Sequence, residues 1–340
     1  MNDMTDSPLV SICIPTYNRA NMIGKAIESA LSQTYQNIEV IVVDNNSTDN
    51  TAEVVASFQD NRLQYVRNER NLGLFGNCNR CIELAHGTYL HILHSDDFID
   101  PRFTERCIDF FIQHPSVVLT TTGSRIVTDT VEKEIACDTK DRVFPAPEGF
   151  RLLLAMRSFI ICPSVMVRRD IYADVGLFSM EYPYSSDYYQ WLKIARNHDI
   201  GFVSKACLFY RQGKHSETFR CLFTTPHGYM DMLRLFIQIR LDLGDDYNLF
   251  AQDFLSAQHR FIYDCIFAGF TRGDTMPGFS PSLFTGFSLA CWTMERPLTI
   301  SQMLRKLWDL AVILTAGLLM AWSPLRRLIR RLFFSGKDGY

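Results

Sequence analysis

Acidic residues stand at the ends of two predicted strands in the first third of the sequence. Asp44 closes the apolar run 38–43, and Asp96 and Asp97 follow the apolar run 88–94. Carboxylates at the carboxyl ends of buried strands are costly unless they bind something, and ligands of open α/β sheets bind at that edge. A carboxylate pair there suits a hard divalent cation that bridges a diphosphate. The sequence therefore predicts a metal and phosphate site at this edge.

The elements that must position these carboxylates alternate between two hydrophobic periods. Strands are predicted over residues 9–15, 38–43, 63–67, 88–94 and 117–121, and helices over 20–33, 51–58, 75–85 and 101–113. Further patterns predict helices over 149–157 and 188–196, strand-like runs over 164–167 and 202–210, and amphipathic helix within 225–270. Such alternation is typical of an α/β fold with a mostly parallel sheet flanked by helices.

The composition limits the classes of protein to which the chain belongs. Its 340 residues are 47% apolar and 21% charged, which allows one large domain or two. Most of the ten cysteines stand in apolar runs, which favours reduced thiols in the cytoplasm, and the polar, acidic N-terminus predicts no secretory signal. No basic stripe is interleaved with aromatic residues, so we expect no nucleic-acid partner.

The last forty residues differ from the rest in charge. Residues 300–340 carry a net charge of +5, whereas the remainder of the chain carries −8. The uncharged run 310–322 is flanked by Trp308 and Trp322 and is followed by four arginines. About 20 helical residues reach the roughly 30 Å of a bilayer core, but charges near 305–309 shorten this span. The pattern predicts a tail that crosses the inner membrane or lies on its cytoplasmic face, with a buried core helix as the alternative.

Five short motifs occur in order along the first hundred residues. They are Ser11-Ile12-Cys13-Ile14-Pro15-Thr16-Tyr17-Asn18-Arg19, Val43-Asp44-Asn45-Asn46-Ser47-Thr48-Asp49, Asn71-Leu72-Gly73, Ala85-His86-Gly87-Thr88-Tyr89 and Ser95-Asp96-Asp97. Together they resemble the inverting glycosyltransferases of family two, which have the GT-A nucleotide-sugar-binding fold. The resemblance implies a catalytic domain over residues 1–215, to which the hydrophobic pattern adds a helical extension over 216–300 and the tail over 301–340.

The resemblance also implies roles for the residues that bind the donor. Pro15, Tyr17 and Asp44 would hold the base and ribose of a nucleoside diphosphate sugar. Asn71 would line the same pocket. From the residues alone, Tyr17 is either a stacking platform for the base or simply half-buried. Asp44 likewise either binds a base or ribose or belongs to a capped turn between strand and helix.

By the same resemblance, Asp96 and Asp97 would meet the diphosphate through Mg²⁺ or Mn²⁺. The family often reads Asp-x-Asp-Asp here, whereas this chain has His94 at the first of those positions. Hard cations prefer oxygen ligands. His94 is therefore either an unusual metal ligand or only a strand-end residue.

Two further residues match later parts of the family pattern. Asp187, within Ser185-Ser186-Asp187-Tyr188, would be the general base, although Ser186 replaces the usual Glu. Its alternative role is that of a helix N-cap. His215 would close over the diphosphate as part of a lid, and its alternative is a solvated loop.

The leading hypothesis is a membrane-associated glycosyltransferase that moves a sugar from a nucleoside diphosphate sugar to a glycan or lipid-linked acceptor in surface-polysaccharide synthesis. Two alternatives stay open. A nucleotidyltransferase would carry a glycine-rich phosphate loop, and residues 15–19 contain no glycine. A non-catalytic nucleotide-sugar-binding scaffold of a membrane assembly complex would tolerate the departures at His94 and Ser186.

Overall fold

The computed structural model describes residues 7–128, 132–135, 139–156, 159–213, 227–254 and 256–257. The chain divides into two compact units, residues 1–216 and 217–340. His215 and the tail over 301–340 lie outside the described residues, so the predictions made for them stay predictions.

The first unit alternates strands and helices. Its strands are β1 (Val10–Thr16), β2 (Ile38–Asp44), β3 (Leu63–Arg67), β4 (Tyr89–Ile92), β5 (Phe98–Ile99), β6 (Val117–Val127), β7 (Glu132–Ile135), β8 (Arg142–Phe144), β9 (Met166–Arg168) and β10 (Asp199–Arg211). Its helices are α1 (Ile23–Leu31), α2 (Thr51–Ala56), α3 (Leu74–Leu84), α4 (Phe103–Gln113), α5 (Glu148–Met156), α6 (Ile171–Val175) and α7 (Ser186–Asn197).

The hydrophobic pattern explains the central strands and the helices beside them. Every residue of β1 and β2 is buried, as expected for apolar, largely β-branched strands covered on both faces. Helix α1 instead buries one stripe, formed by Ile23, Ala26, Ile27 and Ala30. This spacing lays one face of a helix against the sheet.

The strands form one mixed sheet in the order β3-β2-β1-β4-β9-β6-β10-β5, with β7 beside β6 and β8 beside β10. The β3-β2-β1-β4 part is parallel throughout, as is the β6–β10 pair. The pairings of β5, β7, β8 and β9 are antiparallel. The predicted α/β fold, with its sheet flanked by helices, is confirmed. The antiparallel strands β5, β7 and β8 were not foreseen, because strands of two to four residues are too short to show a period, whereas β9 overlaps the apolar run over 164–167.

The register brings the chemistry-bearing strand ends to one edge. Thr16 at the end of β1 is paired with Asp44 at the end of β2. On the other side, β4 runs beside β1, and the Leu93 N–H donates to the Cys13 carbonyl at 2.9 Å just beyond it. The chain after β1, after β2 and after β4 therefore leaves the sheet at the same edge.

The described part of the second unit is helical, as predicted. It contains α8 (His227–Leu243), a short 3₁₀ turn over Gly244–Asp246, and further helix over 247–254. Helix α8 buries Leu235, Phe236, Ile239 and Leu243. Among the helices that the structure describes, none combines the length and apolar character that crossing a bilayer requires.

Candidate active site

Asp44 ends β2 as a fully buried carboxylate with both oxygens engaged. Its Oδ1 accepts a hydrogen bond from the Ser47 N–H at 2.8 Å, and its Oδ2 accepts one from the Tyr65 hydroxyl at 2.5 Å. Burial and this bonded carboxylate raise the pKa of Tyr65. Asp44 is thus an acceptor held in place by the protein itself. Its contact with a base or ribose stays a prediction.

Four asparagines bind one another beside Asp44. The Asn45 amide donates to Asn71 Oδ1 at 2.7 Å, while its Oδ1 accepts from the Leu72 N–H at 2.8 Å. Asn68 donates to Asn45 at 3.2 Å and to Asn77 Oδ1 at 2.8 Å. This network fixes the loop over 71–73, where Asn71 itself is exposed. Sequence reasoning found only Asn71, although the clustering of asparagines after two strand ends was a usable signal.

The turn after β1 presents Tyr17 to solvent. Pro15 is buried within β1, whereas Tyr17 is 44% exposed. Asn18 takes a left-handed conformation with φ of 52°, which asparagine tolerates. It receives a hydrogen bond from the Thr48 N–H at 2.8 Å, which ties this turn to the one after β2. An exposed ring at the ligand-binding edge of the sheet is suited to stacking on a nucleobase.

The turn after β4 gathers the predicted metal ligands. One ligand atom each from His94, Asp96 and Asp97 lies within 4.8 Å of the others. Asp97 is 1% exposed, and its Oδ1 accepts a hydrogen bond from the Arg211 N–H at 2.8 Å. Its buried Oδ2 has no hydrogen-bond partner among the described residues, and His94 Nδ1 is 3.9 Å away from it. Burial, followed by the charge of Asp96, raises the pKa of Asp97 well above its ordinary value.

This donor set fits a hard divalent cation. Two carboxylates supply the oxygen atoms that Mg²⁺ and Mn²⁺ prefer, and a buried carboxylate oxygen without a partner is the kind of atom that a cation satisfies. His94 offers a nitrogen at the rim of the same group, so both of its predicted roles stay open.

Strand β10 brings a cation next to these carboxylates. The Arg211 guanidinium lies 5.2 Å from the ring centroid of Phe98, which stacks on Phe209 at 4.6 Å. Because Arg211 also binds Asp97 through its backbone, its position is fixed relative to that carboxylate. Positive charge therefore stands beside the predicted diphosphate site.

Asp187 is the second residue of α7, and its Oδ1 accepts a hydrogen bond from the Tyr188 N–H at 2.7 Å. The N-cap position belongs to Ser185, so Asp187 is not the capping residue. Burial raises the pKa of Asp187 to about 6. A carboxyl group with this pKa is ionised at neutral pH and still basic enough to accept a proton.

The pKa shifts of two cysteines indicate that Asp187 and Asp97 both lie near Cys162. Burial and then the charge of Asp187 raise the pKa of the Cys78 thiol to about 12. Burial also raises the pKa of Cys162, with Asp187, Cys78 and Asp97 as further causes in that order. Cys162 therefore lies within the field of both carboxylates. The fold unites residues that are 90 positions apart in the sequence.

A family comparison agrees with this geometry. The model of the family described as glycosyl transferase family 2 matches residues 11–176. Over these residues the chain is similar to that family. The matched segment contains the turns around Tyr17, Asp44 and Asp97, and Asp187 follows eleven residues after its end.

Curated relatives share about a third or less of their residues with this chain. An uncharacterised glycosyltransferase of Rickettsia felis is 33% identical over 213 residues, which are 62% of this chain and 35% of the relative. The Escherichia coli protein named UDP-Glc:alpha-D-GlcNAc-diphosphoundecaprenol beta-1,3-glucosyltransferase WfgD is 28% identical over 214 residues, which are 62% of this chain and 80% of the relative. The match thus spans only about a third of the Rickettsia felis protein.

Solved structures show the same fold. Staphylococcus aureus TarS 1-349 in complex with UDP-GlcNAc has a TM-score of 0.58 at 22% identity, over 95% of this chain and 86% of that one. The mannosyltransferase PcManGT of Pyrobaculum calidifontis, in complex with GDP-Man and Mn²⁺, has a TM-score of 0.54 at 16% identity, over 96% and 88% of the two chains. The predicted GT-A fold is confirmed.

Proposed function

We propose that the protein transfers a sugar, with inversion, from a nucleoside diphosphate sugar to a hydroxyl group of a glycan or lipid-linked acceptor. The observation that carries the proposal is the buried, unpartnered oxygen of Asp97 beside Asp96, within the segment similar to glycosyl transferase family 2. A diphosphate held through a divalent cation gives that oxygen the partner it lacks.

The neighbouring strand ends support recognition of the nucleoside. Tyr17 offers an exposed ring, Asp44 a fixed acceptor, and Asn71 an amide on a loop that the asparagine network holds. A nucleoside bound here would leave its diphosphate on the same side of the sheet as Asp96 and Asp97, because these turns share one edge.

Asp96 and Asp97 would hold Mg²⁺ or Mn²⁺, with His94 at the edge of the group. When bound, such an ion neutralises the charge of the departing diphosphate. Arg211 adds a fixed positive charge from β10, and His215 completes the proposed lid.

Asp187 would act as the general base. It removes the proton from the acceptor hydroxyl while that oxygen forms a bond to the anomeric carbon. The bond from that carbon to the diphosphate oxygen breaks, and the electron pair leaves with the nucleoside diphosphate. Attack from the face opposite the leaving group inverts the configuration. The pKa of about 6 supports this role near neutral pH.

A lipid-linked acceptor and a role in surface-polysaccharide synthesis are the finer part of the proposal. They are supported by the name of the relative WfgD, which specifies a diphosphoundecaprenol-linked substrate. The charge and hydropathy of residues 301–340 support attachment of this tail to the cytoplasmic face of the inner membrane. An enzyme held at the surface that contains its acceptor gains effective concentration.

The test of the transfer is release of nucleoside diphosphate. Purified protein is incubated with Mn²⁺ or Mg²⁺ and a panel of UDP- and GDP-sugars, with and without a membrane extract as the source of acceptor. We expect release that depends on the cation and on one class of donor, and that chelation abolishes. Asp97→Asn removes the reaction, whereas Asp109→Asn, an exposed carboxylate on α4, leaves it unchanged.

Two other outcomes would change the proposal. Binding of UDP or GDP in the presence of Mn²⁺ without turnover of any sugar, with membranes present, would favour the nucleotide-sugar-binding scaffold. Release that is unaffected by both chelation and Asp97→Asn would contradict the assigned metal site.

The membrane attachment has a separate test. The full chain is sedimented with vesicles of phosphatidylglycerol or of phosphatidylcholine. We expect binding to the anionic vesicles only, and a loss of roughly 100-fold or more when Arg326, Arg327, Arg330 and Arg331 are all replaced by Gln. Equal binding to both vesicle types would contradict an electrostatic role for the tail.

A further inference from the structure

The segment over residues 176–180, between α6 and α7, is paired with a single side chain of α3. The Asn79 amide nitrogen donates to the Phe178 carbonyl at 2.9 Å, and Asn79 Oδ1 accepts from the Phe178 N–H at 3.0 Å. One side chain thus makes both hydrogen bonds that a neighbouring β-strand would make. These two bonds fix the position of the segment along the axis of α3.

The ring of Phe178 joins the two helices. It is 3% exposed and stacks on Phe75 of α3 with a centroid distance of 5.3 Å. It also meets Trp191 of α7 edge-on at 5.9 Å. Because a buried aromatic ring cannot shift without opening a cavity, the position of the 176–180 segment and that of α7 depend on each other.

Helix α7 holds the same segment from its other end. Gln190 donates to the Gly176 carbonyl at 2.7 Å, and the Lys193 ammonium donates to the Val175 carbonyl at 2.6 Å. The segment is therefore bonded to α3 through Phe178 and to α7 through residues 175 and 176. It forms a bridge between the two helices.

Each of these helices carries one part of the proposed site at its start. Helix α3 begins after Gly73, whose carbonyl accepts a hydrogen bond from Asn45 at 3.1 Å in the donor-side network. Helix α7 begins with Ser186 and Asp187. Cys78, the residue before Asn79, lies in the field of the Asp187 carboxylate. The bridge therefore links the nucleoside side of the site to the proposed base.

We propose that Asn79 is a positioning residue of the transfer reaction, which sets where the Asp187 carboxylate stands relative to the donor by holding the 176–180 segment against α3. This inference rests on the proposed function. Asn79 acts through Phe178 and α7, and no donor contact is assigned to it. A shift of about 1 Å in a catalytic group can reduce a rate roughly 100-fold, so a lost bridge is expected to affect turnover more than donor binding.

The first test separates turnover from binding. Asn79→Ala is expected to lower kcat roughly 10- to 100-fold, while the dissociation constant for UDP or GDP with Mn²⁺ changes less than about twofold. The matched control is Arg80→Ala on the next position of α3, whose side chain forms an exposed ion pair with Glu83. The control is expected to keep both values. Equal losses of kcat and of nucleotide affinity, or an unchanged kcat, would overturn the proposal.

A second variant loosens the bridge from the side of α7. Gln190→Met keeps the length of the buried side chain but removes its hydrogen bond to Gly176. Because both changes act on one segment, the kcat loss of the double variant is expected to be smaller than the product of the two single losses. Losses that simply multiply would show that Asn79 and Gln190 act independently, against the proposal.

Hydrogen exchange supplies a readout that needs no turnover. In folded Asn79→Ala we expect faster exchange over residues 176–190 and unchanged exchange over β1 and β2, relative to Arg80→Ala. Unchanged exchange over 176–190 would overturn the proposal. If the wild-type protein turns over no sugar nucleotide, the proposed function is contradicted instead. The hydrogen-exchange result would still show whether Asn79 holds the 176–180 segment.

Discussion

The turns after β2 and after β4 each place a buried carboxylate at the same edge of the sheet, yet they are built differently. Asp44 gives both of its oxygens to partners within the protein, the Ser47 N–H and the Tyr65 hydroxyl. Asp97 is as deeply buried, but only Oδ1 has a partner and Oδ2 has none among the described residues. Each oxygen of the first carboxylate has a partner within the protein, whereas one oxygen of the second has none among the described residues.

Polar groups near Asp44 and near Asp187 also differ in their hydrogen bonding, although Thr16 Oγ1, beside Asp44, lacks a partner among the described residues. Around Asp44, the asparagine network satisfies its amides internally. On the side of Asp187, the buried Ser186 Oγ and Gln190 Oε1, one helical turn apart on α7, lack hydrogen-bond partners in the described part of the chain. A buried polar atom without a partner is costly for a folded chain, so each of these atoms is a candidate for contact with a ligand.

The largest expected effect is at Asp97. Asp97→Asn should reduce activity about 1000-fold, because a carboxylate ligand of the proposed cation is lost. The same change should leave the melting temperature equal or higher, because it removes a buried charge that burial disfavours. Nucleoside diphosphate release and thermal unfolding measure the two quantities. If Asp97→Asn keeps its activity and has a lower melting temperature, Asp97 serves stability, as Asp44 does, and not catalysis.

The second effect is at Asp187. Asp187→Asn should lower kcat about 10²- to 10⁴-fold while nucleotide binding is retained. In the wild type, activity should fall as the pH drops below about 6, because a protonated Asp187 cannot accept the proton. A rate that stays constant from pH 7.5 to pH 5 would exclude Asp187 as the base.

The raised pKa of Asp187 also predicts a pH dependence of stability. The pKa of Asp187 is about 6 in the folded state, against an ordinary value of 3.8, so the folded protein favours the protonated carboxyl group. The free energy of unfolding is therefore highest below pH 3.8 with respect to this group, and it decreases as the pH rises through 6. Asp187→Asn should therefore gain stability relative to the wild type between pH 4 and pH 7. Denaturant unfolding at both pH values measures this difference. The exposed carboxylate variant Asp109→Asn serves as the control and should show no such gain.

A smaller effect, mainly on stability, is expected at Asp44. Asp44→Ala leaves the Ser47 N–H and the Tyr65 hydroxyl without their acceptor, which should cost about 1–3 kcal/mol of unfolding free energy. Tyr65→Phe removes only one of these bonds and should cost about 1 kcal/mol. If Asp44→Ala is no less stable than Tyr65→Phe, the internal bonds of Asp44 do not hold it in place.

The smallest effect is expected at His94. His94→Asp supplies an oxygen ligand where the chain now has a nitrogen, so the affinity for Mn²⁺ should rise, by about tenfold at most. Titration with Mn²⁺ measures this affinity. A loss of affinity in His94→Asp would identify His94 as a ligand that carboxylate oxygen does not replace.

Much of the parallel part of the fold could be predicted, because its signals are local. The runs that became β1, β2 and β3 are long and apolar, and their predicted bounds lie within one residue of those observed. The antiparallel strands β5, β7 and β8 were not predicted, because two to four residues carry no period, and β9 was indicated only by the apolar run over 164–167.

The sequence by itself determined which residues end the central strands, and therefore that Asp44, Asp96 and Asp97 share one edge with Tyr17. Only the tertiary structure decided which of these carboxylates is satisfied, and that Asp187 and Asp97 both lie close enough to Cys162 to affect its pKa. Those outcomes depend on partners far away in the chain, such as Arg211 for Asp97 and Phe178 for Asn79, which lie 114 and 99 positions apart. Local hydrophobic periods specify the direction and burial of a segment. They contain no information about which distant backbone group will stand opposite a given side chain once the sheet has formed.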